Sequence, residues 1–238
     1  MEYTLSPKRT QKKAENSPHL QSVIPRTRNQ NTIFKEFEKR KNLFIHGCAG
    51  TGKSYLGCYL AIKAVENGEY NKLVIIRSAV PSRKQGFLPG SPQEKDEIYE
   101  IPYTAIFDKL YMNDKHYAFL KTQDKINFVS TSYLRGTTID NAIILADEIQ
   151  NMNFMEINTI MTRIGENSKI IVCGDGDQDD LSSLNEDSCI NDAIKIFSKM
   201  PSFNIIEMEE NDILRSGIVK EWIIAKKNIY NKPNFLLK

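Results

Sequence analysis

The sequence predicts an α/β fold, a parallel sheet covered by helices on both faces. Three observations carry that prediction. Short runs rich in Ile, Leu and Val recur along the chain, and most are separated by stretches with helical spacing. The runs are apolar throughout rather than alternating, as strands buried on both faces are. The first of them leads directly into Gly47-Cys48-Ala49-Gly50-Thr51-Gly52-Lys53-Ser54, which fits G-x-x-x-x-G-K-[ST] between a strand and a helix.

That loop specifies the fold further, as a P-loop NTPase of the RecA-like kind. Its glycines let the backbone curl until successive N–H groups point inward at phosphate oxygens. The positive end of the helix that follows favours the same anion. Gly47, Cys48, Ala49, Gly50, Thr51, Gly52, Lys53 and Ser54 are therefore read as the nucleotide-binding loop. Lys53 reaches the outer phosphates, and the Ser54 hydroxyl is placed to ligate Mg²⁺. ATP and Mg²⁺ are the expected cofactors.

In chain order, residues 1–25 lack periodicity and are expected to form a basic, disordered arm, leaving 26–238 as a single domain. Asn29-Gln30 opens a short helix with Ile33, Phe34 and Phe37 on one face, ending near Lys41. A strand over 43–45, the loop and a helix over 55–70 follow. Lys72–Arg77 reads as the second strand and 78–97 as a long loop, of a length that is uncommon without a function. Helices are expected over 98–112 and 114–121, and strands over Ile126–Ser130 and Ala142–Ala146. Then come a helix over 154–164, a strand over 169–173, a helix over 190–200, a strand over Phe203–Met208 and a helix over 217–227.

The 238 residues are 40% hydrophobic and 26% charged, an ordinary globular balance. No apolar run is long enough to cross a bilayer and none resembles a signal peptide, so a cytoplasmic protein without membrane contact is expected. Cys48, Cys58, Cys173 and Cys189 form no C-x-x-C pair and read as reduced thiols. The net charge is +2, yet residues 1–30 carry +4. A basic arm of this kind either contacts nucleic acid or is simply solvated.

Two further stretches complete the predicted site. The Ala142–Ala146 strand runs into Asp147-Glu148. Beside a phosphate loop, Asp147 is placed to hold Mg²⁺ and Glu148 to deprotonate an attacking water. The 169–173 strand runs into Gly174-Asp175-Gly176-Asp177-Gln178, where Gln178 is placed to contact a γ-phosphate or that water. Asp175, Asp177, Asp179 and Glu186 also mimic a calcium loop. That reading fails because position 6 is Asp180 instead of Gly and a strand, not a helix, precedes it. Gln30 offers a carboxamide suited to an adenine edge, or merely starts a helix. Arg135 is open between a phosphate contact and a local ion pair. Arg215 has Asp212 three residues before it as a possible local partner.

Taken together, these stretches resemble the PhoH family, phosphate-starvation-inducible ATPases related to superfamily-one helicases. The resemblance rests on Arg26-Thr27-Arg28-Asn29-Gln30, the phosphate loop, Arg77-Ser78-Ala79-Val80 and Gly86-Phe87-Leu88-Pro89-Gly90. It continues through Gln93-Glu94-Lys95, Tyr133-Leu134-Arg135-Gly136, Leu145 to Asn151, and Gly174-Asp175 with Gln178. Its lysine- and asparagine-rich composition is similar to that of phage members, for which the compartment is the host cytoplasm. The resemblance implies an ATP-binding core with helicase-type Gln contacts at Gln30 and Gln178 and an arginine finger at Arg215. It also implies single-stranded RNA or DNA as partner and a homo-oligomeric ring, a hexamer. Ser78 departs from the family, which usually has Pro there. The chain has length for one motor module, so unwinding is not expected. With no second module, the finger is expected to reach a neighbouring subunit's site. The rival functions are an ATP-dependent small-molecule kinase and an ATP-switched scaffold with negligible turnover.

Overall fold

The computed structural model describes residues 18–78, 92–134, 136–176 and 189–230. Within them six strands form one all-parallel sheet: β1 Asn42–Gly47, β2 Lys72–Arg77, β3 Ile126–Ser130, β4 Ala142–Ala146, β5 Lys169–Gly174 and β6 Phe203–Met208. Their order is β3-β2-β4-β5-β1-β6. The helices are α1 Arg28–Glu38, α2 Lys53–Glu66, α3 Pro92–Tyr111, α4 His116–Thr122, α5 Phe154–Arg163, α6 Ile190–Phe197 and α7 Gly217–Tyr230.

Successive strand residues point to opposite faces, and both faces are buried. Leu43 and Ile45, Leu73 and Ile75, and Ile143 and Leu145 face one core, filled from α1, α2, α3 and α4. Phe44, Val74, Ile76, Ile144 and Val172 face the other, filled from α5 and α6. This two-sided burial is why the strand sequences are apolar without alternation. The fold is an α/β P-loop NTPase.

Two boundaries differ from expectation. Residues 18–25 belong to the domain: Leu20 and Val23 pack on the first core, and the Gln21 N–H donates to the Leu110 carbonyl at 2.8 Å. The first seventeen residues of the expected arm lie outside the described residues. At the other point, α3 starts at Pro92, so 92–97 is helix rather than loop. Proline suits the first helical position, where its missing N–H would have no partner, and acids stabilise a first turn. Residues 79–91 of the expected loop, with Arg83 and Lys84, lie outside the described residues.

Ser78 directly follows β2, and its side chain has a use there. Its hydroxyl donates to Glu156 Oε1 at 2.9 Å, and the Thr131 hydroxyl donates to the same oxygen. Glu156 also closes the capping box of α5 with Asn153. One carboxylate thus ties the carboxyl ends of β2 and β3 to α5.

Candidate active site

The strand order brings three distant stretches of sequence side by side. β5 lies between β4 and β1, with Ala146 opposite Val172 and His46 opposite Gly174. The phosphate loop, Gly174-Asp175 and Asp147-Glu148 therefore leave the carboxyl ends of adjacent strands, about 4.8 Å apart. Above them opens a cavity of about 1070 Å³.

The phosphate loop is held from behind, largely by backbone. Gly47 has φ +111°, and a Cβ there would sit 2.2 Å from the Met208 carbonyl oxygen, so only glycine fits. The Cys48 N–H donates to that carbonyl at 2.8 Å, and the Leu214 N–H donates to the Gly50 carbonyl at 3.1 Å. The Thr51 hydroxyl closes the loop on the Cys48 carbonyl at 2.9 Å. Ala49, Gly50, Gly52, Lys53 and Ser54 line the cavity. Gly47, Cys48 and Thr51, also expected to bind nucleotide, give the loop its shape. The Lys53 ammonium donates to the carbonyls of Gly47 and Cys48 at 2.7 and 2.8 Å and lies 3.8 Å from Asp175.

The acidic wall is held by side chains. Asp147, 3% exposed, accepts from the Ser54 hydroxyl on Oδ1 at 3.0 Å and from the Tyr103 hydroxyl on Oδ2 at 2.8 Å. Burial and the Asp147 carboxylate push the Tyr103 phenol well above its usual range, which keeps it a donor. The Ser54–Asp147 oxygen pair fits Mg²⁺. Ligands at 2.0–2.1 Å on adjacent octahedral vertices stand about 2.9 Å apart, and Mg²⁺ takes one or two protein oxygens beside substrate phosphates.

Glu148 follows with φ 56° and ψ 43°, a left-handed conformation unusual for a residue with a Cβ. Burial and the adjacent Asp147 push its carboxyl up, with Arg77, Gln150 and Lys53 pulling it back. The Gln150 amide donates to Glu148 Oε2 at 2.5 Å, and its oxygen accepts the Asp175 N–H at 2.9 Å. This buried carboxamide bridges the ends of β4 and β5. Gln150 and Tyr103 both escaped the sequence reading. Gln150 stood inside a quoted motif without a role, and nothing local sets Tyr103 apart from other aromatic residues on α3.

Gln30 lies beside Gly52, 3% exposed. Its oxygen accepts the Arg26 N–H at 2.8 Å and its amide donates to the Thr51 carbonyl at 3.0 Å. A carboxamide has two donors and two lone pairs, so one of each remains for a base. Arg215 lies close to the phosphate loop of its own chain. Its side chain lies against Gly50 of its own loop, where a Cβ on Gly50 would meet Arg215 Cγ at 2.7 Å, and it lines the same cavity as Lys53. β6 lies beside β1, so the turn after β6 returns to the phosphate loop despite its distance in sequence. Asp212, the alternative partner, accepts from Asn29 and the Glu209 N–H at 2.7 and 2.8 Å. Gln178 and Arg135 lie outside the described residues. No described helix is long and apolar enough to cross a membrane.

Comparison with known proteins agrees with the motifs. The PhoH-like protein family matches residues 22–227. A PhoH-like protein of Bacillus subtilis is 32% identical over 215 residues, covering 90% of this chain and 65% of its own length. One of Synechocystis is 31% identical, covering 88% and 63%. Protein PhoH of Escherichia coli K12 is 28% identical, covering 89% and 60%. The chain thus spans less than two thirds of the length of these relatives. Among solved structures, the Sulfolobus solfataricus SWI2/SNF2 ATPase core in complex with dsDNA aligns with TM-score 0.45 and 12% identity, over 84% of this chain and 48% of that one. The Pif1 helicase from Candida albicans aligns with TM-score 0.39 and 17% identity, over 78% and 40%. With the family match running from the strap before α1 into α7, the chain belongs to the PhoH-like protein family.

Proposed function

We propose that this protein hydrolyses ATP with Mg²⁺ and couples the cycle to single-stranded RNA or DNA. The observation that supports hydrolysis best is the Ser54–Asp147 oxygen pair, with Glu148 held next to it by Gln150. In this reading Lys53 exchanges the carbonyls of Gly47 and Cys48 for the β- and γ-phosphates. Ser54 and Asp147 hold Mg²⁺, which neutralises charge on those phosphates. Glu148 takes the proton of the attacking water through a carboxylate already fixed on one oxygen. Arg215 supplies positive charge in cis from beside Gly50, and Gln30 faces the base. Gln178 keeps its proposed role near the γ-phosphate.

Nucleic-acid coupling is supported by family membership and by the +4 charge of residues 1–30. The test is phosphate release from ATP with and without Mg²⁺ and with and without single-stranded RNA. Release that requires Mg²⁺ and rises with RNA, in a manner that weakens steeply with salt, is the expected result. No release under any condition leaves an ATP-switched scaffold and removes the hydrolase reading. Label passing to a small acceptor instead of to free phosphate identifies a kinase.

A further inference from the structure

Tyr103 is 1% exposed, at the centre of α3, and packs within the apolar core with its ring centroid 5.7 Å from that of Phe128. Phenylalanine would fill that space. A buried hydroxyl costs stability unless it is paired, and this one is paired with a carboxylate of the site. The pairing also has a definite geometric result. A carboxylate can turn about its Cβ–Cγ bond and present one oxygen or two. With Tyr103 on Oδ2 and Ser54 on Oδ1, Asp147 presents a single oxygen at the Ser54 edge. Mg²⁺ demands near-ideal octahedral geometry, so that choice decides how well the ion is held.

The same helix reaches the other acid. One turn before Tyr103, the Tyr99 ring receives the Arg77 guanidinium at 5.8 Å from its centroid, and Arg77 exerts its charge on Glu148. Tyr103 also directly follows Pro102, which removes one helical N–H from the middle of α3. α3 thus bonds one acid directly and carries the ring beside Arg77, whose charge acts on the other.

We propose that Tyr103 is a positioning residue of the metal edge, whose hydroxyl holds Asp147 in the orientation that ligates the divalent cation of a bound nucleotide. The proposal rests on the Mg²⁺–nucleotide reading above. Partners that orient a ligand in this way are worth about 10- to 100-fold in metal affinity.

The test uses Tyr103→Phe, which keeps the ring and removes the hydroxyl. Mn²⁺ binding to the protein–ADP complex is followed by electron paramagnetic resonance, and ADP affinity is measured separately in EDTA. Tyr103→Phe should weaken Mn²⁺ binding about 10-fold and leave ADP affinity in EDTA unchanged. Tyr111→Phe is the control for loss of a buried hydroxyl on the same helix. It removes a 2.6 Å bond to Glu66 and should leave Mn²⁺ affinity alone. On an Asp147→Asn background, Tyr103→Phe should cost nothing more. Unchanged Mn²⁺ affinity in Tyr103→Phe, or an undiminished loss on the Asp147→Asn background, overturns the role of Tyr103 while leaving the nucleotide site standing. Absence of Mn²⁺ and ADP binding in the unmodified protein overturns both.

Discussion

The two walls of the cavity are built differently. The phosphate wall is held largely through backbone groups: the Cys48 N–H on the Met208 carbonyl, the Leu214 N–H on the Gly50 carbonyl, and two loop carbonyls that accept the Lys53 ammonium. The acidic wall is held by side chains: Tyr103 and Ser54, from α3 and α2, on Asp147, and Gln150, two residues along the chain, on Glu148. Backbone contacts depend on glycine spacing and tolerate most side chains. Side-chain contacts depend on one hydroxyl or one carboxamide each. The first wall should therefore fail as a binding surface and the second as a catalytic one.

The largest effect expected is on Arg215, a charged side chain that the phosphate wall borrows from beyond β6. An arginine over a transferring phosphoryl group is worth on the order of 10³–10⁵ in rate, so Arg215→Ala should lower phosphate release by at least about 10³-fold. Because Arg215 lies against its own Gly50, mixing Arg215→Ala with Lys53→Ala protein should restore nothing. Recovered activity on mixing would place the arginine in a neighbour's site.

The contrast between the walls is tested directly by Lys53→Ala and Glu148→Gln. The first should abolish nucleotide binding. The second should retain it while turnover falls roughly 10²–10⁴-fold. Equilibrium binding of ATP and steady-state phosphate release separate the two. Full hydrolysis by Glu148→Gln would remove the base from the scheme.

A smaller effect should come from Gln150→Ala, which frees the Glu148 carboxylate and leaves the Asp175 N–H without that acceptor. A lost hydrogen bond to a charged group is worth about 1.5–3 kcal/mol, so turnover should drop by about 10- to 100-fold. Nucleotide affinity should stay nearly as it was, since the two bonds go to Glu148 and Asp175 and not to the phosphate loop. A matching loss of affinity would mean that the walls are not separable.

The smallest effect lies at the opposite end of the sheet and leaves the cavity untouched. Lys169 opens β5, 4% exposed, its ammonium 2.8 Å from the Phe37 carbonyl and 3.6 Å from the Phe37 ring centroid. Burial pulls its pKa down to about 8 from 10.5. Between those values the unfolded chain binds more protons than the folded one, so stability rises with pH through that window and is lowest below it. From pH 7 to 9 the native protein should gain about 1 kcal/mol relative to Lys169→Met, read as a difference in melting temperature. A gap that stays constant with pH would mean that Lys169 titrates normally.

Much of this molecule could be read without coordinates. The ranges of β2 and β4 follow from apolar runs alone, because a strand covered on both faces admits little else, and the edge strands β3 and β6 were legible despite polar Asn127, Asn204 and Glu207. The phosphate loop and Asp147-Glu148 were equally plain, since their chemistry needs fixed residue types at fixed spacing along a strand–loop–helix path. The start of α3 was misread because proline signals both a loop and a first helical turn. That Arg215 lines the cavity of its own chain was not legible, because sequence distance hides the pairing of β6 with β1.

The sequence by itself therefore determined the sheet, the loop and the acids, all set by local pattern. Tertiary structure decided what holds those acids and where the late arginine falls. The Tyr103–Asp147 bond joins residues 44 apart, the Gln150–Asp175 bond 25 apart, and the Arg215–Gly50 contact exists because two strands from opposite ends of the domain lie side by side. No periodicity marks such contacts. They arise only when strand order and helix packing bring single hydroxyls, carboxamides and guanidinium groups within hydrogen-bonding or packing distance of the site.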